Sequence, residues 1–330
     1  MTARLPAADC AACVAACPAG ALSLAGASLA LVAARCTGCG HCAAACPEAA
    51  LALPDAAPAL LWRHEASACL ACRHGAEAPP GLALCAQALG LEELAALWLS
   101  RLRVLLLASG DCTRCPEAPP AGLGLASRLS RLNALLASRA LAPLRTRPAP
   151  MGAAARHPPE GAQNPARRAF FAPFAAPFAA AAETVTDPFP ESGAKTALAR
   201  LQALPAAPGA TALFAHAPRI DAGLCTGCDA CVKLCPHAAL ILVKDEMSQP
   251  CYRVNPAACT GCGLCTDICD TGAMALDEPG EASPEVRVYE FSCRSCRASL
   301  HHPDPRLAAA GLCPACARPG WGRAPVLVLP

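Results

Sequence analysis

The sequence predicts an α+β protein assembled from several small cysteine-rich modules, on three observations. Twenty-five of the 330 residues are cysteine, a density far above that of an ordinary globular chain. One twelve-residue cysteine pattern recurs four times, twice in the first 50 residues and twice between residues 225 and 270. Aromatic residues make up only 4% of the chain, although 55% is hydrophobic, so large side chains for a core are scarce. Metal centres are therefore expected to stabilise the cysteine-rich parts.

The cysteines are better explained by a reducing compartment than by secretion. Residues 1–9 lack the apolar core and cleavage site of a secretory signal. The longest apolar run, Ala169–Ala182, contains two prolines and is too short to span a bilayer. Arg167-Arg168 before an apolar stretch resembles a twin-arginine export signal, but its place in the middle of the chain favours a linker. An odd number of cysteines cannot all form disulfides, so we predict a cytoplasmic, metal-binding protein without a membrane span.

The repeated pattern has the spacing C-x2-C-x2-C-x3-C-P. Residues 225–236 and 36–47 match it throughout, and residues 259–270 match it with aspartate in place of proline. Residues 7–18 form a fourth copy in which Ala7 stands at the first cysteine position. Three cysteines at three-residue steps wrap a tight loop around one cuboidal cluster, while the fourth cysteine ligates a second cluster. Four copies in register make chance cysteines or zinc knuckles a weak explanation.

These motifs carry a resemblance to a known family. Residues 219–278 resemble a bacterial-type ferredoxin with two [4Fe–4S] clusters, and residues 5–54 resemble a second, degenerate copy. The resemblance implies two dicluster modules, at 1–56 and 213–280, in which each half is a hairpin with a short helix. The apolar segments that follow the motifs fit as short strands, and they are Ala21–Leu24, Ala50–Leu53, Ala239–Val243 and Ala273–Leu276.

The resemblance also implies the ligands of four clusters. Cluster A would be held by Cys225, Cys228, Cys231 and Cys269. Cluster B would be held by Cys259, Cys262, Cys265 and Cys235. Cluster C would be held by Cys36, Cys39, Cys42 and Cys17. Cluster D would have only Cys10, Cys13 and Cys46, because Ala7 supplies no ligand. Three thiolates suit a [3Fe–4S] cluster or a four-iron cluster with an open iron. The alternative is that site D has lost its cluster. We expect site D to be occupied.

Residues 60–142 predict a small α/β unit with the order strand–helix–strand–helix. Its strands are expected at Leu82–Cys85 and Val104–Ala108, and its helices at Leu91–Leu102 and Leu123–Leu141. The unit loosely resembles the iron–sulfur delta subunit of some hydrogenase–heterodisulfide reductase complexes, through its C-x2-C pairs, a lone cysteine and a Gly-Asp-Cys segment. The expected ligands are Cys69, Cys72, Cys112 and Cys115, for either zinc or a [2Fe–2S] cluster. Cys85 and Cys251 stay unassigned, the latter as a buried thiol.

A linker and a tail complete the predicted organisation. Residues 143–212 are rich in proline and predict a linker, with a solvated basic segment over Arg128–Arg168. Residues 286–330 predict a zinc-ribbon-like tail with Cys293, Cys296, Cys313 and Cys316 as ligands. The tail also resembles rubredoxin, which holds one iron, but zinc is favoured because the aromatic residues of rubredoxin are mostly missing. His301 and His302 are expected to be solvated turn residues.

No catalytic constellation accompanies these sites. The sequence contains no Walker loop, no dinucleotide-binding glycine motif and no nucleophile elbow. We therefore predict a non-enzymatic protein that relays electrons through [4Fe–4S] clusters to or from a redox enzyme, its partner being a larger oxidoreductase. The alternative is a ferredoxin-type accessory or maturation protein, or a non-catalytic subunit of a molybdenum-type or other oxidoreductase. Nucleic-acid binding is not expected, because no aromatic stacking platform accompanies the basic residues.

Overall fold

The computed structural model describes residues 11–25, 28–51, 60–74, 85–149 and 196–317. The chain divides into two compact units, and the main boundary between them falls after Ala215. Both units mix short helices and strands, as the predicted α+β class requires. None of the described helices has the length and apolarity that crossing a bilayer requires.

Unit 1 begins with a small hairpin-and-helix module. Its elements are α1 (Ala12–Ala15), β1 (Leu22–Ala25), β2 (Ser28–Leu31) and α2 (His41–Ala45). Strands β1 and β2 pair antiparallel, and a 3-10 turn leads from β2 to Cys36. The strand predicted at residues 21–24 is therefore observed one residue later. Of the strand predicted at 50–53, residues 50 and 51 are described and are not in a strand, and residues 52 and 53 lie outside the described residues.

The rest of unit 1 is built on a four-stranded sheet. Its elements are β3 (Leu60–His64), β4 (Ser67–Ala71), α3 (Leu91–Leu99), β5 (Val104–Ala108), α4 (Leu125–Ala137), β6 (Arg145–Pro148), α5 (Ala197–Gln202) and β7 (Leu213–Phe214). The strand order is β3-β4-β5-β6, and β4, β5 and β6 run parallel. Parallel neighbours need a crossover connection, which α3 and α4 supply. The strand predicted at 82–85 lies almost wholly outside the described residues.

A leucine-rich core joins the helices to this sheet. Leu94 of α3, Leu105 of β5 and Leu132 of α4 are fully buried in it. The predicted leucine stripe of α4 is confirmed, since Leu125, Leu132 and Leu136 are buried and Leu129 packs against them. Each buried leucine contributes about 1.5–3 kcal/mol, so this part of the chain has a core of its own.

Two parts of the predicted linker and basic segment are structured. Strand β6 extends the sheet at its edge, and α5 packs on α3, where the Glu92 carboxylate accepts the backbone N–H of Ala197 at 2.6 Å. Arg128 and Arg139 are buried rather than solvated, and both donate to backbone carbonyls. Residues 150–195 lie outside the described part of the chain.

Unit 2 contains a second hairpin-and-helix module and the tail. Its elements are β8 (Ala217–Ile220), α6 (Ala230–Leu234), β9 (Leu240–Lys244), β10 (Pro250–Val254), α7 (Leu264–Asp267), β11 (Met274–Asp277), β12 (Gly280–Glu281), β13 (Val286–Arg287), β14 (Tyr289–Ser292), β15 (Ser299–His302), α8 (Pro305–Ala310) and α9 (Pro314–Ala317). Strand β8 pairs with β11, β9 pairs with β10, and β14 pairs with β15, all antiparallel. The strands predicted at 239–243 and 273–276 are observed one residue later.

Candidate metal centres

Two cavities in unit 2 are each lined by four cysteines. The first is lined by Cys225, Cys228, Cys231 and Cys269. The second is lined by Cys235, Cys259, Cys262 and Cys265. These are the quartets predicted for clusters A and B. In each cavity, three cysteines of one motif meet the last cysteine of the other motif.

Antiparallel pairing explains why distant cysteines meet at the first cavity. Ile220 at the end of β8 pairs with Met274 at the start of β11. Cys225 follows shortly after β8, and Cys269 shortly precedes β11. Both cysteines therefore lie at the same end of this strand pair. The backbone N–H of Cys225 donates to Asp221 at 2.9 Å and fixes the start of the loop.

The second cavity is built in the same way. Leu240 at the start of β9 pairs with Val254 at the end of β10. Cys235 precedes β9 and Cys259 follows β10, so these two cysteines also meet at one end of a strand pair. The backbone N–H of Ala239 donates to Cys235 Sγ at 3.2 Å. Such donors stabilise negative charge on a ligand sulfur.

Burial keeps several of these thiols neutral in the absence of a counter-charge. It raises the pKa of Cys231 and of Cys259 to about 12, and that of Cys265 to about 11. A buried thiolate is stable only when a metal compensates its charge. The hydrophobic cluster beside the cavities is also small, with Ile220 and Tyr252 among its few large residues. The cysteines of both quartets are therefore suited to bind a metal. The hydrophobic packing around them provides little of the stability that the module would need without a bound metal.

The tail packs on the loop of cluster A through a polar triad. His301 Nε2 lies 2.8 Å from Asp229 Oδ1, and the Tyr252 hydroxyl donates to the same carboxylate oxygen at 2.7 Å. Tyr252 is only 1% exposed. The prediction that His301 and His302 are solvated turn residues is wrong, because both lie in β15 and His302 is buried. His301 is not solvated because it contacts Asp229 in the loop of cluster A, and no local sequence pattern predicts that contact.

The four cysteines of the tail form a tight group. The Sγ atoms of Cys293, Cys296, Cys313 and Cys316 all lie within 4.8 Å of one another. Ligands at about 2.3 Å from a tetrahedral zinc are about 3.8 Å apart, close to the 3.9 Å between Cys296 Sγ and Cys313 Sγ. Backbone N–H groups of Cys296 and Cys313 lower the pKa of Cys293 to about 6, which favours the thiolate at neutral pH.

The N-terminal module gathers the cysteines predicted for cluster C. Burial raises the pKa of Cys42, and the neighbouring Cys39, Cys17 and Cys36 raise it further. Of the incomplete site D, Cys13 is buried and Cys46 accepts the backbone N–H of Ala50 at 3.3 Å. Cys10 and Ala7 lie outside the described residues.

The middle of unit 1 brings Cys72, one of the predicted ligands, together with Cys85, which the sequence leaves unassigned. Cys69 is fully buried within β4, and Cys72 directly follows the end of that strand. Cys72 packs with Cys85, and a hydrogen bond between the two thiols lowers the pKa of Cys72 and raises that of Cys85. Cys85 is therefore a partner of Cys72. The only sequence signal for Cys85 was its position between two C-x2-C pairs.

Cys251 stands apart from these groups. It is fully buried in β10, as expected of a buried thiol, and its Sγ donates to Glu285 Oε2 at 3.3 Å. Burial and that carboxylate raise its pKa to about 11.

Comparison with protein families agrees with this geometry. The family model described as a 4Fe-4S dicluster domain matches residues 8–50. The model described as a 4Fe-4S binding domain matches residues 218–241 and 252–275. The chain contains two ferredoxin-type [4Fe–4S] domains. The matches cover less than a third of the chain, and no curated protein matches it significantly. The ferredoxin domains give the protein [4Fe–4S] clusters as cofactors and support an electron-transfer role.

Proposed function

We propose that this protein relays electrons through its [4Fe–4S] clusters to or from a redox enzyme, and has no catalytic centre of its own. The observation that carries the proposal is the crosswise pair of cysteine-lined cavities in unit 2. Ligands shared between two motifs hold two clusters close together in one small module. Such an arrangement suits the passage of single electrons from one cluster to the next.

The proposed ligand sets follow the predicted clusters. Clusters A and B take the two quartets that line the cavities of unit 2. Cluster C takes Cys17, Cys36, Cys39 and Cys42, and the three cysteines of site D take a [3Fe–4S] cluster or a four-iron cluster with an open iron. The tail takes one zinc ion, which its tight group of four sulfurs favours.

The surface beside cluster A supports docking of a redox partner. Cys228 is exposed, and so are Leu224 and Ile268, which are 51% and 40% exposed and adjoin the ligands Cys225 and Cys269. Residues 219–278 contain eight acidic and four basic residues, which favours a partner with a basic docking face. The partner we propose is a larger oxidoreductase, and the cytoplasm remains the predicted location.

Metal analysis and EPR of anaerobically purified protein test the proposal. Three or four cubane-type clusters in the ferredoxin modules correspond to roughly 12–16 irons per chain. Cys269→Ser should disturb cluster A although this residue belongs to the motif of cluster B, whereas Cys251→Ser should leave both clusters intact. Near-zero iron with several zinc ions per chain would contradict an electron-transfer role.

A second candidate function is that of an accessory protein or a non-catalytic subunit of a multi-subunit oxidoreductase. The exposed apolar residues Leu224 and Ile268 favour it, because a permanent contact would cover them. Size-exclusion chromatography of the protein purified from its own cells separates the two. A stable complex with a large catalytic chain supports the subunit, and a monomer that reduces the enzyme only transiently supports the free carrier.

A further inference from the structure

The metal site of the tail is built into the strand pair that contacts the loop of cluster A. Cys293 directly follows β14, and Cys296 lies in the turn that leads from β14 to β15. The backbone N–H of Cys293 donates to the carbonyl oxygen of Ala298 at 2.9 Å, which closes this turn. His301 lies in β15, two residues beyond the start of that strand. A metal ion held by the four tail cysteines therefore fixes the turn from which β15 begins.

Strand β15 covers the loop of cluster A at Gly227. This glycine is buried, and the carbonyl group of His301 occupies the space in which a side chain at this position would lie. The backbone N–H of Gly227 donates at 3.5 Å to Sγ of Cys225, a ligand of cluster A. A single residue therefore connects the strand of the tail with a sulfur atom of the cluster.

Asp229 places a negative charge in the same contact. It directly follows the ligand Cys228, and its carboxylate accepts from the Tyr252 hydroxyl and lies 2.8 Å from His301 Nε2. The side chains of Asp229 and His301 are 19% and 14% exposed, whereas Lys233, 4.0 Å from the same carboxylate, is 72% exposed and screened by water. A charge sheltered from water acts more strongly on its neighbours. The packed tail should therefore oppose reduction of cluster A, because reduction adds a negative charge.

Cluster B is covered in a different way. The equivalent glycine of its motif, Gly261, packs against the ring of His216, whose Nδ1 lies 2.5 Å from Glu278 Oε1. Both of these residues belong to the ferredoxin module itself. The backbone of Gly261 also donates to Cys259, so this type of bond does not depend on the tail. Of the two glycines, Gly227 is the one whose described neighbours belong to the tail.

We propose that a metal ion bound by the tail lowers the reduction potential of cluster A, through the contact of β15 with Gly227 and Asp229. The inference rests on the proposed relay function and gives the tail a role in it, as a regulator of one cluster. When the metal leaves, β15 loosens, water solvates the loop and the carboxylate, and the potential rises. By thermodynamic linkage, reduction of cluster A must weaken metal binding by the same factor.

No electron passes to the metal in this scheme. An external reductant loses the electron that cluster A gains, and the thiolates of the cluster keep their bonds to iron. Zinc enters and leaves the tail as Zn²⁺, and the thiolates that it leaves take up protons from water.

A variant that lacks the tail metal tests the direction of the effect. Cys296→Ser changes an exposed ligand, so the full chain, purified anaerobically, should lose its tail zinc and keep all of its iron. A redox titration followed by EPR should show one component reduced about tenfold more readily, a factor at the lower end of typical coupling between sites. For one electron this factor is a shift of about 59 mV. His216→Ala, which opens the cover of cluster B and leaves the tail intact, should move a different component.

Gly227→Ala separates the contact from the metal. This variant keeps the four tail cysteines and every cluster ligand, so its zinc and iron contents should equal those of the wild type. The component that moves in Cys296→Ser should nevertheless be raised, because the added methyl group displaces β15. Removing zinc from Gly227→Ala should then cause no further shift. This variant also tests the inference if Cys296→Ser fails to fold.

The reverse effect is measured as the zinc affinity of the tail, by competition with a chromophoric chelator. Zinc should bind about tenfold more weakly to dithionite-reduced than to oxidised wild-type protein, and equally to both states of Gly227→Ala. Unchanged potentials in Cys296→Ser after loss of zinc, equal shifts of every component, or a shift of the component that responds to His216→Ala would overturn the inference. These outcomes leave the relay function standing, whereas a chain that binds no iron would refute it.

Discussion

Replacing Gly227 with alanine should loosen the tail from the loop of cluster A. Gly227 has a φ of +72°, and a Cβ added there would lie well inside 3.0 Å of the carbonyl oxygen of His301 in β15. That atom is backbone and cannot swing away as a flexible side chain can. The added methyl group therefore has room only if β15 moves, which would break the hydrogen bond between His301 and Asp229.

The expected magnitude follows from a comparison with Gly38, which holds the same position in the motif of cluster C. Its φ is +70°, and no described atom lies within 4 Å of an added Cβ. Gly38→Ala should therefore cost only the backbone strain of about 1–2 kcal/mol. Gly227→Ala carries the same strain and also loses a hydrogen bond to a carboxylate, worth about 1.5–3 kcal/mol. The tail should then open more easily by about 2 kcal/mol, or about 30-fold.

Hydrogen exchange measured by mass spectrometry on the metal-loaded protein checks this expectation. Peptides covering residues 289–302 should exchange about 30-fold faster in Gly227→Ala and at the wild-type rate in Gly38→Ala. His301→Ala, which leaves the glycine intact, should also speed exchange in these peptides. Unchanged exchange in Gly227→Ala would refute the packing of the tail on this loop.

Three other changes have defined outcomes. Ala7→Cys should replace any [3Fe–4S] EPR signal with a [4Fe–4S] signal, and an unaltered spectrum would contradict the register of the first motif. With a pKa of about 11, only about one in a thousand Cys251 side chains is a thiolate at pH 8. Because iodoacetamide reacts with the thiolate, it should leave Cys251 unmodified in the folded protein. Glu285→Gln should raise the rate of that reaction, as peptide mass spectrometry would show. Arg139→Ala should destabilise unit 1 by roughly 3 kcal/mol because four carbonyls, two of them in buried hydrogen bonds, lose their donor, whereas exposed Arg145→Ala should have almost no effect in thermal unfolding.

Features that depend on a local sequence pattern can be predicted. The pattern predicts the strand at Val104–Ala108 to the residue, because a short apolar run rich in branched side chains fits a buried parallel strand. The crosswise meeting of Cys225 with Cys269 and of Cys235 with Cys259 also follows from spacing, because the motif leaves its last cysteine pointing away from its own cluster.

The failures have non-local causes. The sequence predicts a linker where β6 lies because proline and arginine carry no strand signal, and the strand forms by pairing with β5. The contact of Cys85 with Cys72 has no local signal either, because a C-x2-C pair is conspicuous in a sequence and a lone cysteine is not. The contact of His301 with Asp229 joins residues 72 apart in the chain.

Strand β6 and helix α5 are far apart in the sequence, yet both belong to unit 1. Each is held there by contacts of its own, β6 by pairing with β5 and α5 by the bond from the backbone N–H of Ala197 to Glu92. A single cut in the chain between them should therefore leave both pieces attached to unit 1.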